Sequence, residues 1–530
     1  MSNLISFYLS HDASVAVKFD SNKYRIYELE RLTGIRYFKP DENLPALLLN
    51  LNQIIKKDLG NSYKFHKGII VKSSPWGHIE EKEAIKSVFK INDIEEIGHH
   101  IAHAACAIHS HQYDKSLVLS YDGGGFDEDN EVRTFNIFLC DKQNNYYSRI
   151  FSKSIDLGNA YSCIAIPISE IKKGNYLSLA GKIMGLCAYG KVIINWIPHV
   201  ENFYRNFFFG EEKLVKDQLS YLGEKINLNL DDPDTLSGDN SYNLAATSQY
   251  VFEKLTFDIL MPFVEHYKLP VGLTGGCALN VLFNEKLRRL INMPVFVPPN
   301  PNDCGLSIGG ILAHQNPQST VDFTYAGFDI LDKEDLPIYV EKYSAKKITP
   351  KEIAKLVSEG KIIGIVKGLS ECGPRALGNR SIICDPSFPD MKDKLNLKVK
   401  FREWFRPFAP MVRENEISKY FETEHTCEYM SFAPYVRNKW KSMLPSVTHH
   451  DGTSRAQTVS KNANPYIYEI MDEMENLGKI PILLNTSFNI KGKPILTTVK
   501  DAIEVLEETE IDHIIVENYI FSRAKNDESI

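Results

Sequence analysis

His99 and His103 stand four residues apart in the small-residue segment Gly98 to Ala107. On a helix their imidazoles would leave the same face, with Cβ atoms roughly 5–6 Å apart. Such a pair can share a metal ion or pack as core. Two carboxylates favour the metal. Asp122 ends the apolar run Leu117 to Tyr121 and opens Gly123-Gly124-Gly125, and Asp303 follows the run Val295 to Val297. Two imidazoles and two carboxylates form a four-ligand set that suits Fe(II), Mn or Zn and leaves room for substrate. The glycines after Asp122, and again Gly275-Gly276 after Val271 to Thr274, offer backbone that can approach a phosphate. His11 and Asp12, in a turn between two apolar runs, add a group able to carry a proton near neutral pH.

A second constellation is cationic. The run Lys361 to Lys367 enters the loop Gly368 to Ile382, which holds three glycines, Pro374, Arg375 and Arg380. Guanidinium forks and backbone N–H groups at that density predict an anion site. Downstream, Lys400, Arg402 and Arg406 are interleaved with Phe401, Trp404, Phe405 and Phe408. A charge run is ordinarily a solvated helix face; one threaded with aromatic rings reads as the wall of a site. Asp451 to Gln457, with Arg455, and Asn485-Thr486-Ser487 at the end of an apolar run add polar groups to the same pocket.

These groups need scaffolds. Leu4 to Leu9 and Ala13 to Phe19 read as strands on either side of His11 and Asp12, followed by a helix over Leu44 to Lys57, a strand near Gly68 to Val71 and a charged helix over Glu80 to Phe89. Asp122 to Gly125 is expected to be a loop after a strand. Strand-glycine units before and after a helical middle, residues 191–262, form the pattern of an actin-like nucleotide-binding fold, with the amphipathic stretch Leu244 to Val264 expected over its cleft. Composition turns charged and irregular near Asp322 to Lys347, and Thr349-Pro350 then opens a helix that closes at Gly360. Two α/β domains are expected, residues 1–340 and 345–530.

Composition bounds the rest. With 530 residues, 43% hydrophobic and 24% charged, the chain is too long for one ordinary core. A net charge of −7 argues against wholesale wrapping of nucleic acid. Nine cysteines without a CxxC pair fit neither a zinc knuckle nor a disulfide framework and predict a reduced, cytoplasmic protein. The short apolar runs predict no secretory signal and no membrane span.

Taken together, the motifs resemble the O-carbamoyltransferase family that includes the nodulation-factor, cephamycin and tobramycin carbamoylating enzymes. The resemblance is carried by Ser10-His11-Asp12-Ala13, His99 to Ala104, Asp122-Gly123, Lys182 to Leu186, Gly275 to Asn280, Asp303-Cys304-Gly305, Gly373 to Ile382, Lys400 to Pro410, Asp451 to Arg455 and Asn485 to Asn489, in one order over nearly the whole length. It implies an N-terminal actin-like (ASKHA) domain like that of tRNA threonylcarbamoylation enzymes and a C-terminal YrdC-like domain. The latter would make carbamoyl adenylate from ATP and carbamoyl phosphate; the former would pass the carbamoyl group to a hydroxyl. By motif position, His99, His103, Asp122 and Asp303 match metal ligands, with iron(II) the usual ion, and Mg²⁺ accompanies ATP. Gly123, Gly124, Lys182, Gly275, Gly276 and Asn280 match nucleotide-binding positions. Arg375, Lys400, Arg406, Arg455, Asn485 and Ser487 match the carbamoyl-phosphate and adenylate site, and His11 with Asp12 the catalytic pair. The stretch Glu30 to Arg36 lacks the lysine-histidine pair that usually follows it, which bears on the acceptor.

Two other readings remain open to sequence alone. One is a small-molecule kinase of the actin-like fold, which leaves the arginine-rich second domain without a purpose. The other is an ATP-binding scaffold without turnover, which a missing ligand would favour. The expected partners are small co-substrates and a hydroxylated acceptor, either a sugar or natural product or a hydroxymethylated base in DNA. A homodimer is a common arrangement for enzymes of this size.

Overall fold

A computed structural model of the chain describes residues 3–523 apart from 21, 22, 42, 61, 62, 128 and 491. The chain divides into two compact units, Met1–Ala326 and Gly327–Ile530; the sequence reading placed the division between 340 and 345.

The first unit contains the same sheet twice. In one, β1 (Leu4–Tyr8), β2 (Ser14–Phe19), β3 (Lys23–Glu28), β4 (Lys67–Val71) and β5 (Ile94–Ile97) lie in the order β3-β2-β1-β4-β5, the first three antiparallel and the last two added in parallel. In the other, β6 (Lys115–Phe126), β7 (Val132–Asp141), β8 (Tyr146–Lys153), β9 (Val271–Thr274) and β10 (Val295–Phe296) repeat that order and those directions. This duplicated arrangement is the actin-like architecture expected from the strand-glycine pattern.

Two helices join the halves. His99–His109 carries alanines at 102, 104, 105 and 107, and Ala104, Ala107 and Ile108 cluster with Val118, Phe138 and Phe296 of the second sheet. Leu306–Gln315 packs on that helix and on β1, β2 and β4 of the first sheet. Small side chains let backbones approach closely, and each buried large aliphatic contributes about 1.5–3 kcal/mol. The helical middle includes a single helix Asp239–Tyr267 that runs through Pro262.

One expectation needs correction. Asp122 to Gly125 is not a loop, because β6 continues to Phe126 and only its pairing with β7 shifts between Tyr121 and Gly125. This irregularity bends the strand and re-aims the side chain at Asp122.

The second unit is one mixed sheet. Its strands β11 (Lys346–Lys347), β12 (Ile363–Val366), β13 (Arg380–Cys384), β14 (Ala409–Arg413), β15 (Gln457–Val459), β16 (Ile482–Ser487), β17 (His513–Val516) and β18 (Tyr519–Ser522) lie in the order β11-β18-β17-β12-β13-β16-β14-β15. Helix Pro350–Ser358 starts at a capping box between Thr349 and Glu352. It buries Ile353, Ala354 and Val357 with Ile467, Ile470, Met471 and Met474 of helix Pro465–Asn476 against Ile363, Ile365 and Leu483 of the sheet. No described helix is long and apolar enough to cross a membrane.

Candidate functional site

In the first unit, three elements bring four side chains together. Helix His99–His109 presents His99 and His103, the irregularity in β6 presents Asp122, and the turn before helix Leu306–Gln315 presents Asp303. One ligand atom from each lies within 4.8 Å of all the others. His103 Nε2 is 3.2 Å from Asp122 Oδ2 and 3.4 Å from Asp303 Oδ1, and His99 Nε2 is 3.7 Å from the same Asp303 oxygen. Neither ring nitrogen of the buried His99 has a hydrogen-bond partner. A buried imidazole without partners, beside a second one that faces two carboxylates, makes a donor set that fits a divalent cation.

His11 joins this cluster from the turn after β1. Its Nε2 lies 3.6 Å from Asp303 Oδ2 and its Nδ1 3.3 Å from Asp12 Oδ2, while 43% of its side chain stays exposed. Burial pulls the His11 imidazole down, but Asp303, Asp12 and Asp122 outweigh it and hold it at about 9. Burial is outweighed in the same way at His103, by Asp122 and Asp303, and this imidazole is also held at about 9. For Asp122, burial is overcome by His103 and His99, which keep its carboxyl well below the usual range. Burial pushes the Asp12 carboxyl up against the pull of His11.

Two residues here escaped sequence reasoning. Tyr8, on fully buried β1, donates to Asp303 Oδ2 at 2.5 Å. Thr274, at the end of β9, donates to the Pro301 carbonyl at 3.1 Å, which leaves its oxygen to accept from His103 Nδ1 at 3.3 Å. That relay keeps a proton on Nδ1 and turns Nε2 toward the carboxylates.

The expected nucleotide-binding positions separate. Gly123 N donates to Asp122 Oδ1 at 2.7 Å, and its carbonyl accepts from Asn159 at 3.3 Å. Gly124 adopts a φ of 144° within the same stretch of β6. Asp156 caps the short helix bearing Asn159, and burial first, opposed by Asn159, raises its carboxyl to about 6. Gly276 faces Asp122, while Gly275 donates to the Pro301 carbonyl at 2.7 Å. Asn280, however, caps helix Val281–Leu290 through Phe283 N at 3.0 Å and pairs its amide with Gln249, so both ends serve the fold. Lys182, on helix Leu179–Leu186, donates to the Lys172 carbonyl.

The second unit gathers the cations. Arg455 has its Nε buried without a hydrogen-bond partner. Burial, then the neighbouring Arg375, Arg402 and Arg406, hold its guanidinium well below the ordinary value. Arg402 is depressed in the same direction by burial and Arg406; its hydrogen bonds go to neutral oxygens, Asn396 Oδ1 at 2.7 Å and the Pro407 carbonyl at 3.2 Å. The buried Glu403 carboxylate, 3.5 Å from Arg406, offsets part of this charge, and like charges gathered under burial favour a further anion beside them. Arg402 stood in the basic run of the sequence, but nothing in its spacing separated it from the lysines around it.

Lys400 and Ser487 do meet. The Lys400 ammonium donates to the Ser487 carbonyl at 2.6 Å and the Asn489 carbonyl at 2.9 Å. Asn485 instead holds the arginine loop, donating to the Ala376 carbonyl and to Gln457 Oε1, each at 2.8 Å. Within the loop, the N–H groups of Leu377 and Arg380 are taken by the buried Glu371 carboxylate and that of Gly378 by Ser381. The expected backbone nest is therefore partly filled by the chain itself. Arg380 is fully buried on β13 and donates to the carbonyls of Lys367, Asn379 and Gly368 at 2.8–3.0 Å. Of the loop's two arginines, Arg375 is the one in the cationic cluster.

Comparison with known proteins finds two family models in this chain. Residues 49–312 match the model of the carbamoyltransferase N-terminus and residues 354–523 that of the carbamoyltransferase C-terminus. Nodulation protein NolNO of Sinorhizobium fredii is 31% identical over 454 residues, covering 81% of this chain and 64% of the relative's own length. Nodulation protein U of the same species is 27% identical over 545 residues, 94% of this chain and 95% of the relative. Among solved structures, T. kodakarensis HypF aligns over 59% of this chain and 48% of its own at 12% identity, with a TM-score of 0.37. With both halves matched in order and nearly end to end, the chain belongs to the carbamoyltransferase family.

Proposed function

We propose that the protein is an ATP-dependent O-carbamoyltransferase that works in two steps, one in each unit. The observation that carries this reading is the cluster of Arg375, Arg402, Arg406 and Arg455, four guanidiniums with Glu403 beside them, which suits a polyanion such as ATP with carbamoyl phosphate. There carbamoyl phosphate, ATP and water give carbamoyl adenylate, pyrophosphate and orthophosphate. Carbamate is a poor electrophile, and adenylation gives its carbon a leaving group. Mg²⁺ accompanies ATP in this step.

Transfer belongs to the first unit. The acceptor hydroxyl oxygen bonds to the carbamoyl carbon, the bond from that carbon to the phosphate oxygen breaks, AMP departs, and His11 takes the hydroxyl proton. His99, His103, Asp122 and Asp303 would hold a divalent cation, iron(II) by the resemblance. When bound, it supplies positive charge that offsets Asp122 and Asp303 and so releases His11 from the field that keeps it protonated. Tyr8 and Thr274 fix the Asp303 carboxylate and the His103 tautomer. Gly123, Gly276 and Asn159 border Asp122, and the Gly123 N–H holds that carboxylate. The acceptor is a hydroxyl of a sugar or natural product, or of a hydroxymethylated base in DNA.

Pyrophosphate release from ATP, measured with and without carbamoyl phosphate and with no acceptor present, tests the scheme. Release that depends on carbamoyl phosphate is the expected result. ADP as the product would replace the scheme with a kinase, and no product at all with a scaffold.

A further inference from the structure

A metal-binding imidazole is ordinarily fixed by a hydrogen bond from its second ring nitrogen. His103 has that bond, through Thr274, and His99 does not. Packing holds the His99 ring instead. A Cβ at Gly125 would lie 2.2 Å from His99 Cδ2 and 2.3 Å from Cγ, so the imidazole rests directly on the backbone of β6 and only glycine fits beneath it. Tyr8 meets the ring edge-on with centroids 5.8 Å apart, and His103 lies 4.9 Å away.

The helix that carries His99 is also tied to the end of β6. Gly98 begins it without a capping side chain, which leaves first-turn N–H groups unsatisfied. Asp127, 1% exposed and just past the strand, fills that role: its Oδ1 accepts from His100 N at 2.9 Å, and its Oδ2 is ion-paired with Arg149. A carboxylate at this end is also favoured by the helix dipole.

We infer that Gly125 and Asp127 are positioning residues for His99. The strand that presents Asp122 thereby also sets the height of the helix and the tilt of the imidazole facing it. A four-ligand site needs its donors aligned to within a few tenths of an ångström, and outer positions of this kind typically change metal affinity about 10- to 100-fold. The inference rests on the reading of His99, His103, Asp122 and Asp303 as a cation site.

Co²⁺ titrated into the full-length chain and followed by visible absorption reads affinity and ligand geometry together. Gly125→Ala and Asp127→Ala are expected to weaken Co²⁺ binding about 10- to 100-fold and to change the absorption bands, while thermal unfolding shows an intact fold. Asp127→Asn keeps an oxygen at the cap and is expected to restore most of the affinity. Unchanged affinity and bands in both Gly125→Ala and Asp127→Ala would overturn the inference and leave the metal reading standing. Failure of the parent protein to bind Co²⁺ would overturn both. Where Gly125→Ala does not fold, the contrast between Asp127→Ala and Asp127→Asn decides on the same outcomes.

Discussion

His11 and Arg455 mark the two chemistries at their plainest. His11 sits at the edge of the carboxylate cluster with its side chain partly open, the place for a group that exchanges a proton with an incoming hydroxyl. His11→Asn is expected to leave carbamoyl-phosphate-dependent pyrophosphate release unchanged and to abolish carbamoyl transfer; equal loss of both would remove His11 from the transfer step. Arg455 argues in the other direction. Its guanidinium is held among three others, with Nε unpartnered, an arrangement that under the proposed scheme serves the ligand at the expense of the fold. Arg455→Met should cut pyrophosphate release roughly 10- to 100-fold, the value of a charged hydrogen bond, while raising the unfolding midpoint by a few degrees. A fall in both would make Arg455 a structural residue. Lysine is a poor substitute, because a point charge cannot reproduce a planar fork.

The elements explain which residues could be read in advance. His99 and His103 were legible because helical spacing is local, and Asp122 and Asp303 because each follows an apolar run of the sequence. Tyr8 and Thr274 were not, since each lies on a buried strand where composition predicts only core, and their partners are far along the chain. Arg380 and Arg375 share one loop, yet one is buried on β13 among carbonyls and the other belongs to the cationic cluster. Residue type does not carry that difference. The duplicated sheet was legible as strands with glycines, whereas the irregularity in β6 needed the register of β7. The far end of helix His99–His109 supports a prediction of its own. Burial, then the Lys142 ammonium, push His109 down to about 3, against about 6.5 in an unfolded chain. As pH falls from 6.5, the unfolded chain takes a proton that the folded chain refuses, and stability is lost by up to about 1.4 kcal/mol per pH unit. Urea unfolding at pH 7, 6 and 5 should show a shallower decline in His109→Gln than in the parent. Matching slopes would mean that other groups set the acid limit.

At the scale of the whole molecule, two clusters of opposite character lie in different units. One collects carboxylates and imidazoles and the other guanidiniums, so under the proposed scheme they take different ions. Imidazole and carboxylate ligands favour a transition metal, whereas a nucleotide site of arginines needs only the Mg²⁺ that ATP brings. A chelator selective for transition metals should therefore separate the half-reactions. With Mg²⁺ in excess, 1,10-phenanthroline is expected to leave carbamoyl-phosphate-dependent pyrophosphate release intact and to stop carbamoyl transfer, and added Fe²⁺ to restore it. Loss of both activities together would tie the His99, His103, Asp122 and Asp303 cluster to adenylate formation and end the two-site scheme. Transfer that persists in chelator after the protein has been shown metal-free would leave His11 and its carboxylates to act alone. The held protonation of His11 at about 9 would then have to be overcome by the acceptor complex itself.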